Sequence, residues 1–310
     1  MGRLSNLRIV DPVLTQIARG YTNAALVAEN LFPTVGNLAK EAGKYPQFGK
    51  EAFKVYTTER ALRAASNRIN PEGVIVLDFV MDEHDIEYPI DYREDQEAAF
   101  PLQAHATNTV TRVIQLRREK MAADLAQNTA NYAAANKIAL SGTTCFTDQT
   151  NSNPIGVIED GKEAIRAATA QYPNTMLIGA SAFKTLKNHP QLLDRIKYSM
   201  KGIFTTDLMK EVFEINNIVV GRAVYSSDAG VFSDIWADNV ILAYVPVAQP
   251  NMERDMYEPS YGYTFRKQNE PSVDRYVESG GKLEVVRATD IFTVAMPGAE
   301  AGYLISNTNA

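Results

Sequence analysis

Apolar positions change their period along this chain, and the changes mark out its elements. Asp11 and Pro12 suit the cap and first position of a helix, and Val13, Leu14, Ile17, Ala18 and Tyr21 share one face of it up to the break at Gly20. Residues 1–39 thus read as an arm with one short helix, and Pro33 ends whatever follows that helix. From Lys40 to Glu97 the pattern is extended and short of apolar surface. Strand-like pieces at Phe48–Thr58 and Gly73–Val80 flank a polar bend, SNRINPEG. Limbs of about 15 residues would project about 50 Å at the strand rise of about 3.3 Å per residue, and a ribbon of this kind is marginal alone in water.

The period then turns helical. Val110, Val113, Ile114, Met121, Leu125 and Tyr132 set a stripe filled in by alanines, which predicts a helix over 103–135, a spine of roughly 45 to 50 Å. A polar run, TDQTNSNP, marks a boundary. Beyond Pro154 helices and strands alternate, as a compact α/β unit with a mixed sheet requires. Helices are predicted at 160–171, from an N-cap at Ser181 to the break at His189-Pro190, and at 192–198 and 208–213. Strands are predicted at 175–178, 218–225 and 240–245. From Tyr263 onward antiparallel strands follow, with 282–289 and 291–295 the firmest.

Charge changes the picture of the extended stretch. Residues 40–68 carry Lys40, Lys44, Lys50, Lys54, Arg60, Arg63 and Arg68 against Glu41, Glu51 and Glu59, a balance of +4. Residues 78–97 carry Asp78, Asp82, Glu83, Asp85, Glu87, Asp91, Glu94, Asp95 and Glu97 against Arg93, a balance of −8. Opposite blocks in one chain allow head-to-tail attraction between copies; the plainer alternative is two solvated faces. The whole chain has a formal net charge of −6, which argues against a basic face built to grip nucleic acid. A single cysteine, Cys145, rules out an internal disulfide and fits a reducing compartment. The start MGRLSNLRIVDP lacks the apolar core of a signal peptide, no run approaches a membrane span, and synthesis and retention in a cytoplasm are expected.

Candidate chemistry is sparse. Asp82-Glu83-His84-Asp85 with Glu87 is the one dense metal-like group, yet neighbours on a strand point to opposite faces, so an acidic solvated edge is the favoured reading. An acid-rich metal-dependent hydrolase using Asp82, His84 and Asp85 is the remote alternative. Cys145 with one of the three histidines offers a nucleophile and base pair, but so does almost any chain of this length, and no glycine-rich phosphate loop or GxSxG elbow occurs. No catalytic residue, cofactor site or metal site is expected. Gly179-Ala180-Ser181 reads as a helix cap.

Several strings, in order, resemble the major capsid proteins of tailed double-stranded DNA phages, with the Hong Kong 97 type fold. LTQIARGYTNAALVAENLFPTV and GKYPQFGKEAF resemble the arm and first limb of the extended loop, and LRREKMAADLAQNTANY the spine helix. LSGTTCFTDQTNSNPIGVI resembles the link to the axial domain, while PNTMLIGASAFKTLKNHPQLLDRIKY, VFEINNIVVGRAVYSS and DIWADNVILAYVP resemble that domain. VDRYVESGGKLEVVRATDIFTVA resembles the last peripheral strands.

The resemblance implies an α+β fold divided into an N-terminal arm (1–39), an extended two-stranded loop with the lead-in to the spine helix (40–97), a peripheral domain with that helix (98–150), an axial α/β domain (151–248), and peripheral strands with the C-terminus (249–310). It implies a shell protein whose copies form hexamers and pentamers around packaged DNA, assembled in the host cytoplasm into a virion. Implied partners are a separate scaffolding protein, a portal and a cement protein, with weak non-specific contact to DNA and none to membrane. An encapsulin-like compartment is the alternative within the fold.

On this reading residues 1 to about 35 clamp a neighbour. Lys44, Lys50, Lys54, Arg60 and Arg63 face Asp82, Glu83, Asp91, Glu94 and Asp95 of adjacent copies. Phe48, Phe53, Val55, Tyr56 and Leu62 supply apolar adhesion.

Overall fold

The computed structural model describes residues 26–47, 55–56, 58–60, 62–63, 65–68, 75–98, 101–196, 205–227, 229–246 and 260–309. The expected helix at Val13–Tyr21 and most of the strand-like piece from Phe48 lie outside them. The described chain builds two five-stranded sheets joined by one long helix.

The first sheet is organised by its longest strand, β13 (Leu283–Ala295). One side of β13 pairs antiparallel with β4 (Asp82–Asp91) from Leu283↔Asp91 to Phe292↔Asp82. The other side takes β12 (Ser272–Val277) and then β11 (Tyr263–Lys267), and β1 (Thr34–Leu38) adds parallel to β11. The two strands expected at 282–289 and 291–295 are therefore one. A small two-stranded sheet, β2 (Ala42–Gln47) against β3 (Ile75–Val80), rises from this body.

The second sheet has the order β5-β14-β10-β6-β7, from β5 (Lys137–Ala139), β14 (Gly302–Ser306), β10 (Val240–Ala243), β6 (Thr175–Gly179) and β7 (Asn217–Gly221). Every residue of β6, β10 and β14 is buried, as continuous apolar runs in central strands require. β14 was not anticipated, and it moves residues 302–306 out of the peripheral strands into this sheet. Expected strand 218–225 divides at Arg222-Ala223 into β7 and β8 (Val224–Ser226), which pairs with β9 (Phe232–Asp234).

Two helices frame the join. A short α1 (Tyr92–Glu97) leads into the spine, α2 (Leu102–Gln127), whose 26 residues span about 39 Å at about 1.5 Å per residue. It stops earlier than the alanines suggest because Asn128 turns extended and its side chain accepts the Ala130 N–H at 3.0 Å, starting a tight turn instead. Ala106, Val110 and Ile114 pack against Ile90, Val286, Ala288 and Phe292 of the first sheet, while Ala122, Ala123 and Ala126 pack with Trp236, Tyr261 and Leu304. Small side chains on that second half let the helix lie close to both sheets. Among the described residues no helix is long and apolar enough to cross a membrane.

The second sheet's other face carries α3 (Pro154–Thr169), α4 (Ala180–Lys187), α5 (Pro190–Ile196) and α6 (Thr206–Phe213) over one core. Asn153 caps α3 by accepting the Gly156 N–H at 3.0 Å, with Pro154 at the first helical position. Ser181 is not the cap of α4: it lies inside the helix and its hydroxyl donates to the Ala237 carbonyl at 3.1 Å.

Candidate assembly surfaces

Alternation along β2 and β3 divides the ribbon into an anchored face and an open one. Tyr45 and Phe79 are buried, with Phe79 stacked on Phe265 at 4.3 Å between ring centroids and Tyr45 at 5.4 Å from the same ring. Gly43 makes this fit, since a Cβ there would stand 2.6 Å from the Phe79 ring. Val35, Met81, Tyr263 and Ile291 complete the cluster, so the root of the loop is held by its own subunit.

The open face carries Lys44 opposite Asp78, paired at 3.4 Å and both exposed, with Val76 and Val80 exposed beside them. Farther out Val55 is 100% and Leu62 90% exposed, with Tyr56, Arg60 and Arg63 also exposed. Phe48, Lys50, Phe53 and Lys54 fall outside the described residues.

The acidic candidates lie along one edge of the first sheet. Among the described residues β4 pairs with β13 alone, so its other side is a sheet edge. Ile86, Tyr88 and Ile90 turn toward the spine helix, whereas Asp82, Glu83, Asp85 and Glu87 are exposed. Charges and Pro89 are what keep such an edge from pairing indiscriminately. Asp91 ends the strand as the N-cap of α1, accepting the Arg93 N–H at 2.9 Å, and Glu94 and Asp95 follow in the first turn, where the helix dipole favours acids. Glu87 accepts a bond from the Tyr276 hydroxyl at 2.9 Å and lies 3.7 Å from Arg287, whose guanidinium is held above its ordinary value by its bonds to Asp274.

The metal-like cluster does not come together. His84 turns inward and stacks on Phe292 at 4.4 Å, away from Asp85, and among the described residues no three His, Cys, Asp or Glu side chains converge on a cation site. Cys145 is buried, with its thiol 3.6 Å from the Asn307 carbonyl. One serine and histidine pair was missed by sequence reasoning: Ser152 Oγ lies 2.9 Å from His189 Nε2. Because Nδ1 accepts the Gln191 N–H at 3.3 Å, the ring proton sits on Nε2 and points at the serine, the wrong direction for a general base. The pair is also buried, and it ties the linker before α3 to the start of α5.

The described part of the arm is built into its own subunit, which corrects the expectation that residues up to about 35 clamp a neighbour. Val27, Leu31, Phe32 and Val35 are buried; Phe32 packs on Tyr261 at 5.4 Å, and the Thr264 hydroxyl donates to the Phe32 carbonyl at 3.0 Å. Its firmest hold is Glu119 of the spine helix. Oε1 accepts the Val27 N–H at 3.0 Å and the Trp236 indole N–H at 2.7 Å, and Oε2 accepts the Ala28 N–H at 2.9 Å. Arg118 reaches Glu29 at 3.5 Å. Nearby, burial raises the Asp290 carboxyl above the ordinary range although Arg266 lies 3.0 Å away.

Comparison with known proteins gives a consistent result. A family model for phage major capsid protein E matches residues 40–279. The chain is 62% identical over 309 residues to a major capsid protein of Burkholderia phage BcepMu, covering 100% of both. Among solved structures, a phage-related protein of Bordetella bronchiseptica RB50 has a TM-score of 0.79 at 33% identity, covering 97% of this chain and 98% of that one. The capsid structure of Cyanophage P-SCSP1u matches at a TM-score of 0.59 and 9% identity, over 93% and 90% of the two chains.

Proposed function

This chain belongs to the phage major capsid protein family, and from that premise we propose how its two charged surfaces meet in the shell. It is a structural shell protein of a phage, an α+β chain of the Hong Kong 97 type and a component of the virion, and such proteins assemble with copies of themselves. In this reading the outer part of the loop reaches a sister subunit, and the residues ahead of Leu26 do the same. Lys44, Lys50, Lys54, Arg60 and Arg63 approach a neighbour's Asp82, Glu83, Asp91, Glu94 and Asp95, the edge of β4 and the start of α1.

Exposed ion pairs contribute only about 0 to 1 kcal/mol each, so they set register. Adhesion comes from Val55, Tyr56 and Leu62, with Phe48 and Phe53, since burying one large apolar side chain is worth roughly 1.5 to 3 kcal/mol. The observation that carries this is the nearly complete exposure of Val55 and Leu62, at 100% and 90%, on a loop whose root is packed. Copies close into hexamers and pentamers around double-stranded DNA in the host cytoplasm, with a separate scaffolding protein, a portal and a cement protein as partners. The net charge of −6 keeps contact with packaged DNA weak and non-specific.

Reversing charge in an Arg60→Glu/Arg63→Glu variant tests the reading. Subunits with an unchanged melting curve and circular dichroism spectrum, but few particles by electron microscopy and sedimentation, are expected. Wild-type particle yield, or insoluble unfolded subunits, would overturn it.

A further inference from the structure

We propose that Glu119 is the positioning residue that fixes residues 26–30 against the body of the subunit, so that shell assembly depends on it more than subunit folding does. The inference rests on the reading that residues ahead of Leu26 engage a neighbour.

Glu119 is 3% exposed, on the half of the spine helix where its neighbours toward the core are alanines. A carboxylate in such a place is costly unless several donors meet it. Here three do, and they come from two other parts of the chain: two consecutive arm amides and one indole. The short 3-10 turn Ala28–Asn30 begins at Val27, whose side chain has no oxygen with which to cap it. Glu119 supplies that cap from another element. The carboxylate fixes the direction of the backbone at the point where the arm joins the body, and through Trp236 it ties that point to the second sheet. Arg118 and Glu29 brace the same turn from the side. A glutamine at 119 has the same shape but would turn an NH2 group toward N–H donors, so it cannot satisfy all three partners.

Trp236 is the only tryptophan in the chain, so its emission reports on this contact directly. The test compares the wild-type full chain with Glu119→Gln and Trp236→Phe, reading amide hydrogen exchange at Val27 and Ala28, circular dichroism melting, particle yield by electron microscopy, and Trp236 emission where the tryptophan is retained. In Glu119→Gln, exchange at the two amides is expected to quicken at least about tenfold, as the loss of a charge-assisted bond implies. Trp236 emission shifts, the subunit stays folded, and most particles are lost. Trp236→Phe removes one of the three donors and keeps both amide bonds, so exchange at Val27 and Ala28 is expected to quicken less than in Glu119→Gln and particle yield to fall less.

Unchanged slow exchange in Glu119→Gln overturns the inference, as does wild-type particle yield despite fast exchange, or a larger loss of particles in Trp236→Phe than in Glu119→Gln. A Glu119→Gln subunit that does not fold overturns the inference, because folding would then depend on the contact at least as much as assembly does. Normal assembly of the Arg60→Glu/Arg63→Glu variant would defeat the loop-charge reading and leave the amide measurement untouched.

Discussion

Burial disfavours the charged ring and pushes the His189 imidazole below its ordinary value, although a bond with the Asp148 backbone works the other way. The unfolded chain therefore binds this proton more readily than the folded one. Its contribution to stability is complete above about pH 6.5 and is lost as pH falls from there through the lower folded value. Calorimetric melting between pH 7 and pH 5 should show a falling melting temperature, and His189→Gln should flatten that fall. A second residue offers a gain: Ala170 ends α3 at φ 59°, a left-handed conformation that costs a side-chain-bearing residue roughly 1 kcal/mol, so Ala170→Gly should stabilise the subunit by up to about that amount in urea melts. Neither the Ser152 and His189 pair nor the Glu119 contact was legible beforehand. Sequence places Ser152 in a polar loop and gives Glu119 the ordinary expectation of an exposed helical glutamate. Their partners are 37 and more than 90 residues away, and in the case of Glu119 two are backbone amides that carry no signature of residue type.

The ribbon root shows what the elements owe to packing. Phe79 is held by one stacked ring and the Tyr45 edge of a small aromatic cluster. Phe79→Ala should cost about 3 to 5 kcal/mol, felt locally. Amide exchange at 42–47 and 75–80 is expected to quicken by roughly two to four powers of ten, at about 1.4 kcal/mol for each, while β6 stays protected; equal loosening of both would show that the root is not a separate unit. The helical and buried-strand runs beyond Pro154 were legible from period, as were the presence of the spine helix and the second limb of the loop. The strand at 42–47, ahead of the limb expected from Phe48, was not read because Gly43, Lys44 and Pro46 are poor strand formers, and β2 exists through pairing with β3 and the rings beneath it. The spine was drawn too long for the opposite reason: Ala130 and Ala133–Ala135 favour helix, but Asn128 and Asn136 hydrogen-bond to backbone in ways that divert the chain. The acidic edge read from β4 has a physical form, an outer strand with its apolar alternate residues turned to the spine helix.

At the scale of the whole molecule, attraction between basic loop and acidic edge is screened by salt, whereas apolar contacts are not. Raising ionic strength toward 1 M shortens the screening length to about 3 Å, so light scattering should show slower assembly at high salt, with finished particles persisting. Val55→Ser/Leu62→Ser should do the reverse, leaving subunits as stable as before and particles easier to dissociate in dilute urea. The broad architecture was legible from alternating periods and from strings spread over most of the chain. The place of residues 26–38 was not, because the groups that bury them, Tyr261 to Phe265 and Trp236, enter some 200 residues later.

β14 lies between β5 and β10, well inside the second sheet, so that sheet has a gap until residues 302–306 have been translated. A chain cut ahead of Gly302 should expose the edges of β5 and β10 and pellet after centrifugation. A growing polypeptide therefore lacks an inner strand of this sheet until residues 302–306 have emerged from the ribosome.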